Sequence, residues 1–452
     1  MTPALVIGSG GREFTLAEKL TTEVETYAVP GSDGIERSLF VPSYRLPKDV
    51  NLNSPQGFGY VSEVASLLAE RGRTLVVVGP EDPLVGGISD YLQREGYLVF
   101  GPRQAASIVE ASKCWSAEFM QRNGVPAPNF YNPESHQHAL RYVRIRGLPL
   151  VIKGDELAQG KGVTIVRTLQ EAEEALYTRM INRELGGPGV NIQDWIDIDY
   201  ELSAMAIVDV RKRNGSFTGD YKLLLYSMDH KPVFDNDEGP NTGGMGAVAP
   251  LPLREEMKRR IVSAVIEPTI EGFVKEGIEF TGCLYPALAV DKKGDIWTLE
   301  YNIRFADPET QVVLDLMESS LHDYLMAATL GELHRMPEIK WKDGYSVIVN
   351  LTSYGYPNTP KGGFPSFPID GLDEKGQLKE KVEGVTVIHA GTKYEDERWF
   401  TNGGRVLGVR ARDQLLRNAI SKSYQHSRTT SFGGKHQRND IGKKALELSS
   451  SI

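Results

Sequence analysis

Four of the nine residues from Gly239 to Ala247 are glycine, in the run Gly239-Pro240-Asn241-Thr242-Gly243-Gly244-Met245-Gly246-Ala247. Glycine loses more backbone entropy on ordering than any other residue, so this stretch makes a poor helix or strand. Close backbone approach or unusual dihedrals must offset that loss. The run follows Asp229-His230-Lys231. Further along the chain comes Thr298-Leu299-Glu300-Tyr301-Asn302-Ile303-Arg304-Phe305-Ala306-Asp307-Pro308-Glu309. Here a carboxylate, an amide and a guanidinium occupy alternate positions at the end of an apolar run. The two segments together have the chemistry of a nucleoside-triphosphate site, with metal ligands and an anion-reading loop.

A chain of 452 residues exceeds one ordinary core and predicts two to four domains. Hydrophobic residues at 40% and charged residues at 25% are those of a soluble globular protein. The net charge of −9 argues against nucleic-acid binding, which needs basic surface to displace counterions. Cys114 and Cys283 are the only cysteines, too few for a disulfide framework or a cysteine zinc site. No apolar run is long enough to span a membrane. The N-terminus enters a strand without a leader, so the cytoplasm is the expected location.

The apolar run at residues 4–7 leads into Gly8-Ser9-Gly10-Gly11 and then a helical stretch at 13–20. A strand at 74–78, a turn at Gly79-Pro80-Glu81, a helix near 87–95 and a strand at 97–100 repeat the pattern. Such alternation predicts a parallel sheet with crossover helices over residues 1–103. Helices are expected at 105–123, 169–185, 254–276, 309–330 and about 413–426. Strands are expected at 148–153, 164–167, 191–196, 201–210, 222–227, 346–351, 385–389 and 405–410, with a hairpin at 283–301. The strands at 191–196, 201–210 and 222–227 read as one antiparallel sheet.

Gly8–Glu13 offers backbone N–H groups at a helix N-terminus, an anion site in form. The third glycine of the dinucleotide fingerprint would fall at Glu13, so a plain strand–helix turn is the alternative. Gln159-Gly160-Lys161-Gly162 falls short of a P-loop, yet a glycine loop between strands can fold over a triphosphate with Lys161 supplying charge. A β-turn with a solvated lysine is the bland counterpart. Lys153 closes a buried strand, where lysine rarely stands unpaired, and phosphate oxygens would explain it. Glu300 and Asn302, two apart on a strand, share one face with Tyr301 opposite. Such oxygen ligands suit Mg²⁺, which takes one or two protein groups plus water and phosphates. Arg304 would continue that face. A solvated strand face is the alternative for an isolated E-x-N. His230 reads equally as an acid–base group or a loop-ordering residue, and His389 as structural.

These motifs resemble the phosphoribosylamine–glycine ligase family of ATP-grasp enzymes. The likeness runs through Gly8–Glu13, Val78-Gly79-Pro80-Glu81, Ser112-Lys113, Val151-Ile152-Lys153, Gly160-Lys161-Gly162-Val163, Asp229-His230-Lys231, Gly239–Ala247, Glu300–Thr310, His389–Lys393, Thr401–Leu407 and Arg438–Gly442. It implies ATP-dependent joining of glycine to 5-phospho-β-D-ribosylamine through glycyl phosphate, in purine biosynthesis. The implied architecture is an N-terminal parallel α/β domain (1–103), an ATP-grasp core (104–330, small lid about 120–190) and a mixed α/β C-terminal domain (331–452). Mg²⁺ or Mn²⁺ on Glu300 and Asn302 is implied, with ATP as co-substrate. Lys113, Lys153 and the 158–163 loop (Gly160, Lys161, Gly162) would hold ATP phosphates. Gln193, Asp194, Ile196 and Glu201 would hold adenine and ribose. Arg304 and Asp229 would hold glycine and, with Lys153, stabilise developing charge. Gly10, Gly11 and Glu81 would face the phosphoribosyl group. Asn241, Thr242, Gly243 and Asp307 complete the implied substrate site. A monomer is expected, with a dimer as the alternative.

The sequence departs from that pattern at Phe14, where the family has histidine, at Gln193 and at Ala306 in Phe305-Ala306-Asp307-Pro308-Glu309. The other readings are an ATP-grasp carboxylate–amine ligase with a different acceptor, or a nucleotide-binding protein without turnover.

Overall fold

A computed structural model describes residues 1–68, 74–155, 162–182 and 189–450. Ala4–Gly8 pairs in parallel with Thr26–Pro30 on one side and Leu75–Val78 on the other, and Leu98–Phe100 forms the far edge. This four-stranded parallel sheet is the expected consequence of short apolar strands, buried on both faces, alternating with helices.

The core of the middle region is an antiparallel sheet built on the long strand Phe280–Asp291. Ile296–Asn302 flanks it on one edge; Ala206–Arg213 and Ile198–Ser203 share the other, and Ser216–Leu223 lies outermost. The single strand expected at 201–210 is therefore two. The interruption falls at Pro286, which has no N–H to give to a partner. The segment expected at 191–196 leaves this sheet altogether. As Val190–Asp194 it pairs with Phe130–Tyr131 and Leu150–Gly154, and Val163–Val166 completes a separate four-stranded sheet. Helices His136–Arg146 and Leu169–Met180 cover that sheet, with Ala139, Val143, Leu150, Ile152, Ala172 and Leu176 as its small core.

Two expected helices are each broken in two. The one at 105–123 stops at Ala111 and restarts at Lys113, because Ser112 takes an extended conformation and caps the second helix. The one at 309–330 breaks after Asp315, where Glu318 and Ser319 N–H groups bond Lys340 O and Ser320 caps Leu321–Leu330.

The glycine-rich stretch is more strand-like than its composition suggests. Glu238–Asn241 makes a short ribbon with Pro232–Phe234, and Gly246–Ala249 joins the C-terminal antiparallel sheet. That sheet runs Met228–Asp229, Gly246–Ala249, Tyr345–Thr352, Arg405–Asp413 and Val385–His389. Close approach provides the offset: a Cβ on Gly246 would stand 2.5 Å from Ile348 O, and Gly244 (φ +112°) would meet Pro308 Cδ at 2.3 Å.

Candidate active site

The loops that follow strands of the parallel sheet, the separate four-stranded sheet, the central sheet and the C-terminal sheet all contribute to one cavity of about 620 Å³. Its floor is the end of Ile296–Asn302. Glu300 and Asn302 face the cavity, while Tyr301 points the other way, buried, its hydroxyl 2.6 Å from Thr269 Oγ1. Strand alternation alone accounts for that division.

Lys113 opens helix Lys113–Arg122 and brings Nζ to 3.3 Å from Glu300 Oε2. Lys153, buried on the strand Leu150–Gly154, donates to Leu299 O at 2.8 Å. Burial opposes ionisation of Glu300, but the charges of Lys113, Lys231 and Lys153 outweigh it and hold the carboxylate at about 2. Burial in turn lowers Lys153 to about 8, with Glu300 pulling the other way. Three cations around one carboxylate make a site short of negative charge, suited to polyphosphate. Among the described residues, no group of three or more His, Cys, Asp or Glu side chains could hold a metal alone. The oxygen pair Glu300 and Asn302 fits Mg²⁺, whose shell is otherwise filled by water and phosphate.

Next to this floor sits a second charged cluster. Arg304 Nε lies 3.3 Å from Glu81 Oε2, and Arg304 Nη2 lies 4.0 Å from Glu110 Oε1. Glu110 Oε2 also accepts the Ile303 N–H at 2.8 Å. Glu81 is desolvated, yet Arg304 and Arg12 hold it down at about 2; burial pushes Glu110 up to about 7 despite Arg304. Two carboxyls thus straddle one guanidinium in different protonation regimes.

The third cluster lies where the C-terminal sheet enters. Asp229 is raised well above the usual carboxylate range by burial and by the nearby Glu309. Glu309 accepts the Ser203 hydroxyl at 2.6 Å and the Tyr285 hydroxyl at 2.8 Å. Lys231 Nζ pairs with Glu201 at 3.1 Å. The glycine-rich segment is held by Thr242 Oγ1, which donates to Lys231 O at 2.7 Å, and by the Gly243 N–H, which reaches the Tyr356 hydroxyl at 2.9 Å.

Of the residues singled out in the sequence, Glu81, Lys113, Lys153, Gly162, Gln193, Asp194, Ile196, Glu201, Asp229, Asn241, Thr242, Gly243, Glu300, Asn302, Arg304 and Asp307 all line the main cavity. Gly160 and Lys161 lie outside the described residues. The Asp194 carboxylate on that lining is already engaged, by Arg146 and by Asn129. Gly10 and Gly11 do not join Glu81. They line an adjoining cavity of about 540 Å³, together with Ser9, Asp33, Arg45, Lys393 and Asn402. The Gly10 N–H is already used: Glu13 Oε2 accepts it at 2.7 Å, while Glu13 Oε1 takes the Arg12 Nε donor at 2.6 Å. Glu13 lies so close to Gly8 and Gly79 that a Cβ at either would come within 2.5 Å of it.

The wall between the two cavities is Asp307 and Arg405, which line both. Arg405 Nη2 meets Asp307 Oδ2 at 2.6 Å, and Arg405 Nη1 donates to Asp307 O at 3.0 Å and to Gly243 O. Sequence reasoning missed Arg405, although it lies in the quoted Thr401–Leu407 segment, and it missed Glu110 and Glu309. His230 and His389 are structural. His230 is buried between Gly246 O and the Gly442 N–H, His389 between Thr392 and Gly376 O, and burial lowers both to about 4.

Family models described as phosphoribosylglycinamide synthetase match in three parts: the N domain over residues 2–110, the ATP-grasp (A) domain over 111–310 and the C domain over 346–444. The phosphoribosylamine–glycine ligase of Vibrio parahaemolyticus is 38% identical over 452 residues, 98% of each chain. That of Nostoc sp. is 36% identical over 450 residues, covering 97% of this chain and 98% of its own. Among solved structures, phosphoribosylamine–glycine ligase from Thermotoga maritima superposes with a TM-score of 0.78 at 28% identity, over 97% of this chain and 100% of that one. A biotin carboxylase from Campylobacter jejuni shares the fold, with a TM-score of 0.70 at 14% identity over 96% and 93% of the two chains.

Proposed function

We propose, from the premise that the chain belongs to the phosphoribosylglycinamide synthetase family, that it joins glycine to phosphoribosylamine at the expense of ATP. The products are glycinamide ribonucleotide, ADP and phosphate, as in purine biosynthesis. One observation carries this reading: Lys113, Lys153, Glu300, Asn302 and Arg304 line one cavity in a chain similar to phosphoribosylamine–glycine ligases over nearly its whole length.

In the first step an oxygen of the glycine carboxylate attacks the γ-phosphorus and the bond to the ADP oxygen breaks. Lys113 and Lys153 supply positive charge to the phosphates. Glu300 and Asn302 would hold Mg²⁺ or Mn²⁺, which would supply charge neutralisation to the phosphates. Arg304 neutralises the carboxylate end of glycine, and Asp229 with Glu309 receives its ammonium. In the second step the ribosylamine nitrogen attacks the acyl carbon, the C–N bond forms, and phosphate leaves with one former carboxylate oxygen and takes up the proton that the nitrogen sheds. Alignment and fixed charge are the chief catalytic means.

The base and ribose of ATP lie against Gln193, Ile196 and Glu201, beneath a lid at about 120–190. Gly160 and Lys161 belong to the same phosphate-side reading. The phosphoribosyl group fills the smaller cavity, its phosphate near Lys393 and the Gly10–Gly11 backbone. Its amine reaches the larger cavity past Asp307 and Arg405, near Glu81. The domains follow as 1–103, 104–330 and 331–452. Among the described residues no helix is long and apolar enough to cross a membrane. Work in the cytoplasm as a monomer completes the reading.

The test is ADP release with each substrate omitted in turn. Release that requires both glycine and phosphoribosylamine is the expected result. Release with glycine and another amine, and not with phosphoribosylamine, would move the chain to a different acceptor.

A further inference from the structure

Asp155 stands two residues beyond Lys153, where the lid strand Leu150–Gly154 ends. Its backbone N–H bonds Gly189 O at 3.0 Å, which extends the lid pairing by one residue. Its side chain points elsewhere. Oδ1 accepts the Ser112 hydroxyl at 2.8 Å and the Cys114 N–H at 2.9 Å. Ser112 is the N-cap of helix Lys113–Arg122, its Oγ accepting the Trp115 N–H at 3.0 Å. The Cys114 N–H is one of the first-turn donors that no residue of its own helix can satisfy. A lid carboxylate therefore completes the cap of a helix outside the lid, and its charge is favourable at that end of the helix.

The bridge lies between the two lysines of the main cavity. Lys113 sits between the two residues that Asp155 grips, and Lys153 shares Asp155's own strand end. Both lysines converge on adjacent residues of Ile296–Asn302: Lys153 on Leu299 O at 2.8 Å and Lys113 on Glu300 at 3.3 Å. A displacement of the lid relative to the helix would alter both distances unless the two bodies moved together. One carboxylate with two bonds across the junction ties them together at the lysines, while Asn132, whose Nδ2 donates to Glu118 Oε1 at 3.0 Å, adds a tie further along the helix.

We propose that Asp155 is a positioning residue, coupling the lid to helix Lys113–Arg122 and thereby setting Lys113 and Lys153 against Glu300. The proposal rests on the reading that these lysines hold ATP phosphates. Asp155 itself does not line the cavity, so it acts through them.

The test is steady-state kinetics on the full chain. Lys113→Ala must raise KM for ATP; an unchanged value removes the phosphate role of Lys113 and the proposal with it. Given that rise, Asp155→Ala is expected to raise KM for ATP by about tenfold, in keeping with the loss of a helix cap. KM for glycine and for phosphoribosylamine should stay put. Asp155→Asn, which keeps an acceptor oxygen, should restore most of the affinity. In the Lys113→Ala background, Asp155→Ala should add little, because coupled residues are not additive. Full additivity, or a lower Tm with KM for ATP unchanged, overturns the proposal. Should Asp155→Ala not fold, Ser112→Ala removes one strand of the bridge. It must then give a smaller rise of the same kind, and an unchanged KM for ATP would overturn the proposal equally.

Discussion

The two cavities that share Asp307 and Arg405 are built differently. In the larger, charges are buried and crowded: Lys113, Lys153 and Lys231 press on Glu300, and Arg304 lies between Glu81 and Glu110. Ionisation there departs far from ordinary values, Glu300 at about 2 and Glu110 at about 7. The smaller is lined by glycine backbone and short polar side chains, with Arg45 paired to Asp33 at 2.7 Å and Lys393 to Glu395 at 2.6 Å near solvent. Crowded buried charge responds strongly when a polyphosphate arrives or a bond polarises. Solvent-facing charge on a backbone frame mainly holds. On the proposed reading, the difference separates a cavity where charge is redistributed from one where a ligand is gripped.

The largest effect that bears on this contrast is on the redistributing side. Glu300→Ala should lower kcat by about a hundred- to a thousandfold, the scale of losing one preorganised charge partner. Loss of ADP release, with phosphoribosylamine binding intact by calorimetry, is the expected pattern. Arg405→Ala attacks the shared wall and leaves the half-buried Asp307 with only Gln311, whose Nε2 donates to Asp307 Oδ1 at 2.6 Å. Denaturant unfolding should show a loss of about 1.5 kcal/mol, and KM should rise for the phosphoribosyl substrate. An effect confined to KM for ATP would dissolve the contrast.

Lys393→Ala is narrower. It should raise KM for phosphoribosylamine by about tenfold, one charge-assisted contact, and leave KM for ATP alone. The smallest effect concerns Glu110. Its folded value of about 7 lies above the ordinary 4.5, so the folded chain binds that proton more tightly than the unfolded one. The associated stability is full below about 4.5 and is lost as pH rises through about 7. Glu110→Gln imitates the protonated form, so its Tm should gain on that of the parent chain between pH 5 and pH 8. Parallel Tm curves would place Glu110 outside the crowded cluster.

Much of the larger cavity is legible in the sequence because its signals are local. Alternation along one strand separates Glu300 and Asn302 from Tyr301, and a lysine closing a buried strand marks Lys153. What escapes is set by partners far along the chain. Ser112 breaks the helix expected at 105–123 in the company of Asp155, 43 residues away. Arg405 meets Asp307 across 98 residues and has no local pattern of its own. Glu110 reads as one more polar residue on an amphipathic helix until Arg304 and the Ile303 N–H are brought to it. Gly10 and Gly11 read locally as open donors, yet the Glu13 carboxylate, only three residues on from Gly10, already accepts the Gly10 N–H. The strand expected at 191–196 was found, but nothing local says which sheet it joins.

The central claim is that the larger cavity transfers a phosphoryl group to glycine before the amine attacks. Turnover with glycine labelled by ¹⁸O in its carboxylate tests this most directly. The account predicts that one labelled oxygen leaves in the inorganic phosphate and the other stays in the amide product. Phosphate released without label during full turnover would contradict it, because no glycyl phosphate could then have formed.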